Sequence, residues 1–189
     1  LFLTDDRIGF VQSRCEFQNF EKNWLTRAQG LVQDGHYLVE QRSRVHAGWL
    51  FQFNGTGGIW RRATVEDAGG WSDYSLCEDL DLTVRAALQG WHGLFVSEPP
   101  IPGQVPEGIR DFRRQQRRWS NGFVQVAQKT VLPIWRSPWS LTRRVMAISL
   151  IAHQIFFPTA AIGLIAFFLG VILHGSLAPF AGMLEIIGI

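Results

Sequence analysis

The chain reads as a soluble part of mixed strands and helices joined to a helical membrane part. Three observations predict this. Short aromatic and aliphatic runs alternate with amphipathic segments of helical period as far as about residue 128. Charged residues make up 18% of the 189 positions, against a usual value of about 25%, and hydrophobic residues 47%. That apolar excess gathers toward the C-terminus, where residues 145–173 carry no charged side chain; crossing a hydrocarbon core needs roughly 20 such residues.

A net charge of +2 is too mild to argue by itself for a polyanionic partner. Two cysteines, Cys15 and Cys77, make neither a disulfide framework nor a zinc spacing and suit a reduced, cytosol-facing compartment. The chain opens on Leu1-Phe2-Leu3 without an initiator Met or a leader and closes at Ile189 in an apolar run, so a piece of a longer protein is expected.

Taken in order, Thr4-Asp5-Asp6-Arg7 is a turn, and its adjacent acids suit turn chemistry better than one shared metal. Ile8–Ser13 suits a buried strand. Cys15 to about Gln33 has helical steps at Phe17, Phe20, Trp24, Leu25, Ala28 and Leu31, with Asp34-Gly35 as its stop. His36 reads as a surface or packing residue. Tyr37–Val39 and Trp49–Phe53 are strand candidates, the second breaking into Asn54-Gly55-Thr56-Gly57-Gly58, a loop whose backbone amides could approach a ligand. Its glycines have neither Rossmann nor P-loop spacing. Ala63–Ala68 is a short helix stopped by Gly69-Gly70. Ser75 and Glu78 have capping-box spacing ahead of a helix striped by Leu80, Val84, Ala87 and Leu88, with Asp81 and Arg85 paired on its outer side. Trp91–Val96 is a strand, and Pro99–Pro106 a proline-rich connection.

A long amphipathic helix follows Pro106-Glu107-Gly108, with Phe112, Trp119, Phe123 and Val126 at helical steps. Gln115, Arg118 and Trp119, spaced i, i+3 and i+4, share one face. An amide for hydroxyls, a guanidinium for phosphate oxygens and an indole for a sugar's C–H face suit a phosphorylated sugar ligand. From Lys129 the mixture of apolar, Trp and basic residues suits a segment lying at a bilayer surface, and Arg136, Arg143 and Arg144 place the soluble part on the cytoplasmic side. His153, Gln154 and Pro158 predict a kink in the run that follows, and Leu177–Ile189 begins a possible second span.

Asp79 and Asp81 form a D-x-D, but residues two apart on a helix point about 200° round it, which argues against one shared ion. Asp79 lies in the first turn, where the helix dipole and free N–H groups favour the ionised form that a general base needs.

These blocks occur in a known order: Phe53-Asn54-Gly55-Thr56-Gly57-Gly58-Ile59-Trp60-Arg61-Arg62, Glu66-Asp67-Ala68-Gly69-Gly70-Trp71, Glu78-Asp79-Leu80-Asp81-Leu82, Gly90-Trp91 and Gln115-Gln116-Arg117-Arg118-Trp119. From about residue 6 to residue 130 the chain resembles the cellulose synthase-like enzymes of glycosyltransferase family 2, most of all their glucan and mannan synthase-like branch.

The resemblance implies an α/β fold, the C-terminal part of a nucleotide-diphospho-sugar transferase (GT-A type) domain over residues 1–128. An interfacial segment over 129–144 and a transmembrane region over 145–189 would follow, with a first span at 145–173 and a possible second from 177. It implies a multi-pass membrane protein with its catalytic part facing the cytoplasm, transferring a hexose with inversion from a nucleotide-diphospho-sugar to a polysaccharide or lipid-linked acceptor. By the same resemblance Asp79 is the catalytic base, supported by Glu78. Arg118 binds the donor diphosphate, and Gln115, Trp119, Gly55 and Thr56 bind the acceptor. A divalent metal, Mg or Mn, would be held by ligands upstream of these residues, with none expected within them; residues 1–189 alone are therefore expected not to turn over.

Cys77 departs from the family, which usually has Thr before the Glu-Asp pair. Two other functions compete with this one. A glycoside hydrolase needs two carboxylates about 5–9.5 Å apart, and Glu78 and Asp79 are helix neighbours facing different ways. A non-enzymatic, membrane-anchored module binding anionic lipid or nucleic acid through Arg110–Arg118 would make Arg113, Arg114 and Arg117 matter as much as Arg118. The transferase reading makes Arg118 special and involves no nucleic acid.

Overall fold

A computed structural model describes residue 2 and residues 5–174. The chain divides into two compact units, Leu1–Ala152 and His153–Ile189.

In the first unit a three-stranded sheet has the order β2-β1-β3, from β1 (Ile8–Phe17), β2 (Gly58–Trp60) and β3 (His92–Gly103). β2 runs antiparallel to β1, pairing Phe10 with Trp60 and Gln12 with Gly58; β3 runs parallel to it. The helices are α1 (Trp24–Asp34), α2 (Arg42–His46), α3 (Arg62–Asp67), α4 (Glu78–Leu88), α5 (Ile109–Arg136) and α6 (Leu141–Ala152). In the second unit a 3-10 turn at His153–Ile155 leads to α7 (Phe156–His174).

α4 is the central element. Leu80, Val84 and Ala87 join Leu50, Phe123, Val126, Ile134, Ala147, Leu150 and Ile151 in one buried cluster, while Leu82 and Ala86 pack with Ala68 in another. A helix buried on both sides cannot keep Asp81 outside. The expected outer Asp81–Arg85 pair is therefore corrected: Asp81 is fully buried, accepting from the Tyr74 hydroxyl and from Arg85 Nε at 2.8 Å.

The sheet and the first helices differ from the sequence expectation in identifiable ways. Cys15, Glu16 and Phe17 continue β1 opposite Ile101, Pro102 and Gly103, because strand pairing overrides their helical spacing. The helix starts instead at Asn23, whose Oδ1 accepts from Thr26 N–H while Thr26 Oγ1 accepts from Asn23 N–H, each at 3.0 Å. Gly35 does not stop it: its φ is −57°, and the chain winds on through a π-helical turn, Gly35–Gln41. Tyr37–Val39 is thus helical, with Tyr37 buried against Phe95. Trp49–Phe53 is buried at Leu50, Phe51 and Phe53 without joining the sheet. Prolines 99, 100 and 102 lie inside β3, an edge strand, where their missing donors cost no ladder bond.

The expected first span, 145–173, is not one helix. Ala147, Leu150 and Ile151 of α6 are taken into the core against α5, and a 3-10 turn at His153–Ile155 stands between α6 and α7 along the chain. Among the described residues no helix is long and apolar enough to cross a membrane. The possible second span, 177–189, lies outside the described residues. α5 runs unbroken through position 128 to Arg136, with Pro133 inside it. Arg144 then donates to the carbonyls of Trp139 at 2.7 Å and Trp135 at 3.0 Å, and Arg143 lies over the Trp139 ring.

Candidate active site

Asp79 sits in the first turn of α4, half-buried, because its neighbours Cys77 and Leu80 are drawn into the core. The turn before it is braced by α5. Ser75 Oγ donates to Gly122 O at 3.2 Å, Leu76 N–H donates to Gln125 Oε1 at 3.0 Å, and the Cys77 thiol reaches Trp119 O at 3.8 Å. The capping box expected from Ser75 and Glu78 is corrected accordingly. The helix N-cap is Cys77, with no side-chain cap bond, and Ser75 Oγ accepts from Cys77 N–H while donating across to α5.

α5 comes this close because of Gly122. A Cβ there would lie 2.8 Å from Cys77 N and 2.9 Å from Cys77 Cβ, and closer still to Sγ. Trp119 is half-buried and packs against the main apolar cluster, and Arg118 is exposed beside it. Burial raises the pKa of both Asp79 and Cys77, and the Arg118 guanidinium acts electrostatically on each in the opposite, smaller sense. Gln115 lies one turn earlier, half-buried.

Gly55 faces Asp79 from the other side. A Cβ at Gly55 would come within 3.0 Å of Asp79 Oδ2, and its φ of +71° is left-handed, where a side chain is strained. Thr56 is turned back toward the sheet through its carbonyl, which accepts from Gln12 Nε2 at 2.9 Å. Of the predicted residues, then, Gly55, Asp79 and Arg118 come together and Trp119 adjoins them through Cys77, whereas the Thr56 carbonyl is taken by Gln12 on the sheet side. Glu78 is exposed, and its charge adds to what raises the Asp79 pKa.

Burial pushes the Asp79 carboxyl up to about 6. The N–H groups of Leu80 and of Asp79 itself, and Arg118, pull the other way and only partly offset it. The expectation that the helix N-terminus decides its ionisation is corrected: burial outweighs the dipole. A carboxyl poised near 6 is a competent base at neutral pH. Burial likewise pushes the Cys77 thiol up to about 12, so it packs rather than reacts.

Several residues that position this site were not singled out from the sequence. Gln12 braces the 54–57 loop from β1. His36, read as surface or packing, bridges Glu40 (Nδ1 to Oε2, 2.9 Å) and Asn54 (Nε2 to Oδ1, 3.2 Å). Glu40 also accepts from Arg44 Nε at 2.9 Å, and Arg44 donates to the carbonyls of Leu50 and Met146. An isolated glycine in an amphipathic helix was the available signal for Gly122. A lone amide in an apolar strand was the signal for Gln12.

Asp79 and Asp81 diverge as the helical period requires. An open hollow of about 500 Å³ on the Asp81 side of α4 is lined by Tyr74, Asp81, Arg85 and Lys129, and Asp79 is not part of it. Among the described residues no three His, Cys, Asp or Glu side chains are grouped to hold a metal.

The sequence pattern of the family described as glycosyl transferase family group 2 matches residues 1–184. Glucomannan 4-β-mannosyltransferase 2 from Arabidopsis thaliana is 39% identical to the chain over 79% of its residues and 30% of the relative's. Glucomannan 4-β-mannosyltransferase 1 from Cyamopsis tetragonoloba is 40% identical over 67% of the chain and 24% of that relative. A probable glucomannan 4-β-mannosyltransferase from Oryza sativa subsp. japonica is 40% identical over 68% and 23%. The chain spans less than a third of the length of the curated relatives it matches.

Proposed function

The chain belongs to glycosyl transferase family group 2, and within it to the cellulose synthase-like enzymes, and from that premise we propose that the whole protein is a membrane-bound, inverting hexosyltransferase. It moves a hexose, mannose by the names of its relatives, from a nucleoside-diphospho-sugar onto a hydroxyl of a growing polysaccharide. The observation that carries the proposal is the Asp79 carboxylate set opposite the Gly55 backbone, within the field of Arg118.

The acceptor hydroxyl lies beside the Asp79 carboxylate, along the edge of the Gly55 backbone. Its oxygen forms the bond to the anomeric carbon from the face opposite the leaving group, its proton passes to Asp79, and the bond to the diphosphate breaks with its electron pair leaving on phosphate. Attack from that face inverts the anomeric centre. Arg118 balances the charge growing on the departing diphosphate, a type of stabilisation worth about 10²–10³ in rate. Trp119 and Gln115 hold the acceptor sugar, the indole by its flat face and the amide by a hydroxyl. Burial that raises Asp79 to about 6 lets it accept a proton near neutrality without being protonated beforehand.

The membrane assignment rests on residues outside the core. Leu132, Trp135, Leu141 and Val145 are exposed near Arg136 and Arg143, the makeup of a surface lying at a bilayer. α7 exposes Ile162, Leu164, Ile165, Phe168, Leu169, Ile172 and Leu173, a helix apolar all round.

The test is Asp79→Asn in the full-length protein, with a nucleoside diphosphomannose as donor and a β-1,4-manno-oligosaccharide as acceptor. Transfer should fall by at least 10³-fold while nucleoside diphosphate binding stays within about twofold. Transfer retained within tenfold would overturn the role of Asp79.

A further inference from the structure

We propose that Gln12 is a positioning residue for the acceptor, setting the 54–57 loop against Asp79; this rests on the transferase reading above. Gln12 lies in the middle of β1 and is fully buried. A buried primary amide must satisfy both ends, and here both ends go to one loop. Its Oε1 accepts from Asn54 N–H at 2.9 Å; its Nε2 donates to Thr56 O at 2.9 Å and Gly57 O at 3.3 Å, and also to Ser13 O at 2.7 Å. Ser13 N–H adds a bond to Gly57 O at 2.7 Å.

The loop is therefore pinned at Asn54 and again at Thr56 and Gly57. Gly55 lies between the two pinned points, at φ +71°, and meets Asp79. With both flanking residues clamped, the orientation of the Gly55 peptide units is decided by Gln12, and so is the surface they offer a hydroxyl beside the carboxylate.

The required donor and acceptor pattern is specific to an amide. The loop offers an N–H at 54 and carbonyls at 56 and 57. A glutamate accepts from the first but, ionised, repels the other two; methionine matches the shape and serves none. The contacts of Asn54 Oδ1 with His36 and Gln52 hold a side chain only; the Thr56 carbonyl is left to Gln12, and the Gly57 carbonyl is shared between Gln12 and Ser13 N–H.

This makes a prediction that a general folding role does not. With the loop loosened, donor binding is kept, the acceptor hydroxyl is placed less well, and water competes for the anomeric carbon. In the full-length protein, Gln12→Glu, Gln12→Met and Gln12→Asn are compared with wild type. The donor is a nucleoside diphosphomannose and the acceptor a β-1,4-manno-oligosaccharide, with transfer and donor hydrolysis measured side by side.

The acceptor KM is expected to rise at least tenfold in Gln12→Glu and Gln12→Met and less in Gln12→Asn. The ratio of hydrolysis to transfer should rise in the same order, with donor KM and nucleoside diphosphate binding within about twofold of wild type. Donor and acceptor KM shifting together, no shift in either, or loss of nucleoside diphosphate binding in all three variants would each overturn the proposal by making Gln12 structural or idle. Asp79→Asn run alongside keeps the two readings apart: transfer surviving in that variant sinks the transferase role of Asp79 whatever Gln12 does.

Discussion

Gly122 of α5 packs against Cys77 at the head of α4 with no room for even a methyl group between them. A Cβ on Gly122 would stand 2.8 Å from Cys77 N and 2.9 Å from Cys77 Cβ. This contact lets one helix carry Arg118 and Trp119 to the turn that carries Asp79.

Gly122→Ala should therefore overpack the joint and cost about 1–3 kcal/mol of stability. Because the displaced partner is the Asp79 turn, transfer should fall more than the stability loss alone accounts for. Cys77→Ala, which removes only the sulfur, should recover part of both in the double variant. Denaturant midpoints and initial transfer rates check it; a double variant no better than Gly122→Ala would place the clash elsewhere.

The titration of Asp79 sets two pH trends of opposite sense. Its folded pKa, about 6, lies above its ordinary 3.8, so between about pH 4 and pH 6 the folded state holds a proton that the unfolded chain has released. Stability then declines as pH rises through that window and levels off above it. Transfer, which needs the ionised base, rises through the same window. Asp79→Asn should abolish transfer and raise stability at pH 7 by on the order of 1–2 kcal/mol, discounted for its partial exposure. Chemical denaturation at pH 4, 5, 6 and 7 for both proteins reads this directly.

Arg118 should stand apart from its neighbours. Arg118→Ala is expected to lower kcat about 10²-fold or more, and Arg118→Lys to restore little, since an ammonium lacks the planar fork for a diphosphate. Arg113, Arg114 and Arg117, all exposed on α5, should each change transfer by less than about threefold when replaced by Ala. Equal losses at all four positions would favour a diffuse basic surface binding anionic lipid or nucleic acid.

Glu40 should govern acid tolerance. The hydrogen bond from His36, with Arg44 beside it, outweighs burial and holds the Glu40 carboxyl down to about 2, below its ordinary 4.5. For a depressed acid the stabilisation is present above about pH 4.5 and is lost as pH falls toward 2. Glu40→Gln should flatten the pH dependence of stability in that range and loosen Asn54, raising the acceptor KM. Denaturant midpoints at pH 2.5 and pH 5 for both proteins test the first part.

Local pattern was enough for much of this protein. The apolar spacing of Leu80, Val84 and Ala87 and of Phe123 and Val126 marked α4 and α5, and the i, i+3, i+4 steps put Gln115, Arg118 and Trp119 on one face. The order of the Phe53–Arg62, Glu78–Leu82 and Gln115–Trp119 blocks identified the family. These features depend on helical geometry or on residue order, and both are written in the chain itself.

The rest depends on residues distant in sequence. Cys15–Phe17 became strand because Ile101–Gly103 lay alongside. Ala147, Leu150 and Ile151 became core because Leu50, Leu80 and Ile134 offered them an apolar surface. Asp79 rose rather than fell in pKa because packing around α4 removed water from it, and Gln12 gained its place only when a loop more than forty residues away folded over it. Strand pairing, burial and desolvation are properties of the assembled neighbourhood, and no window of sequence contains them.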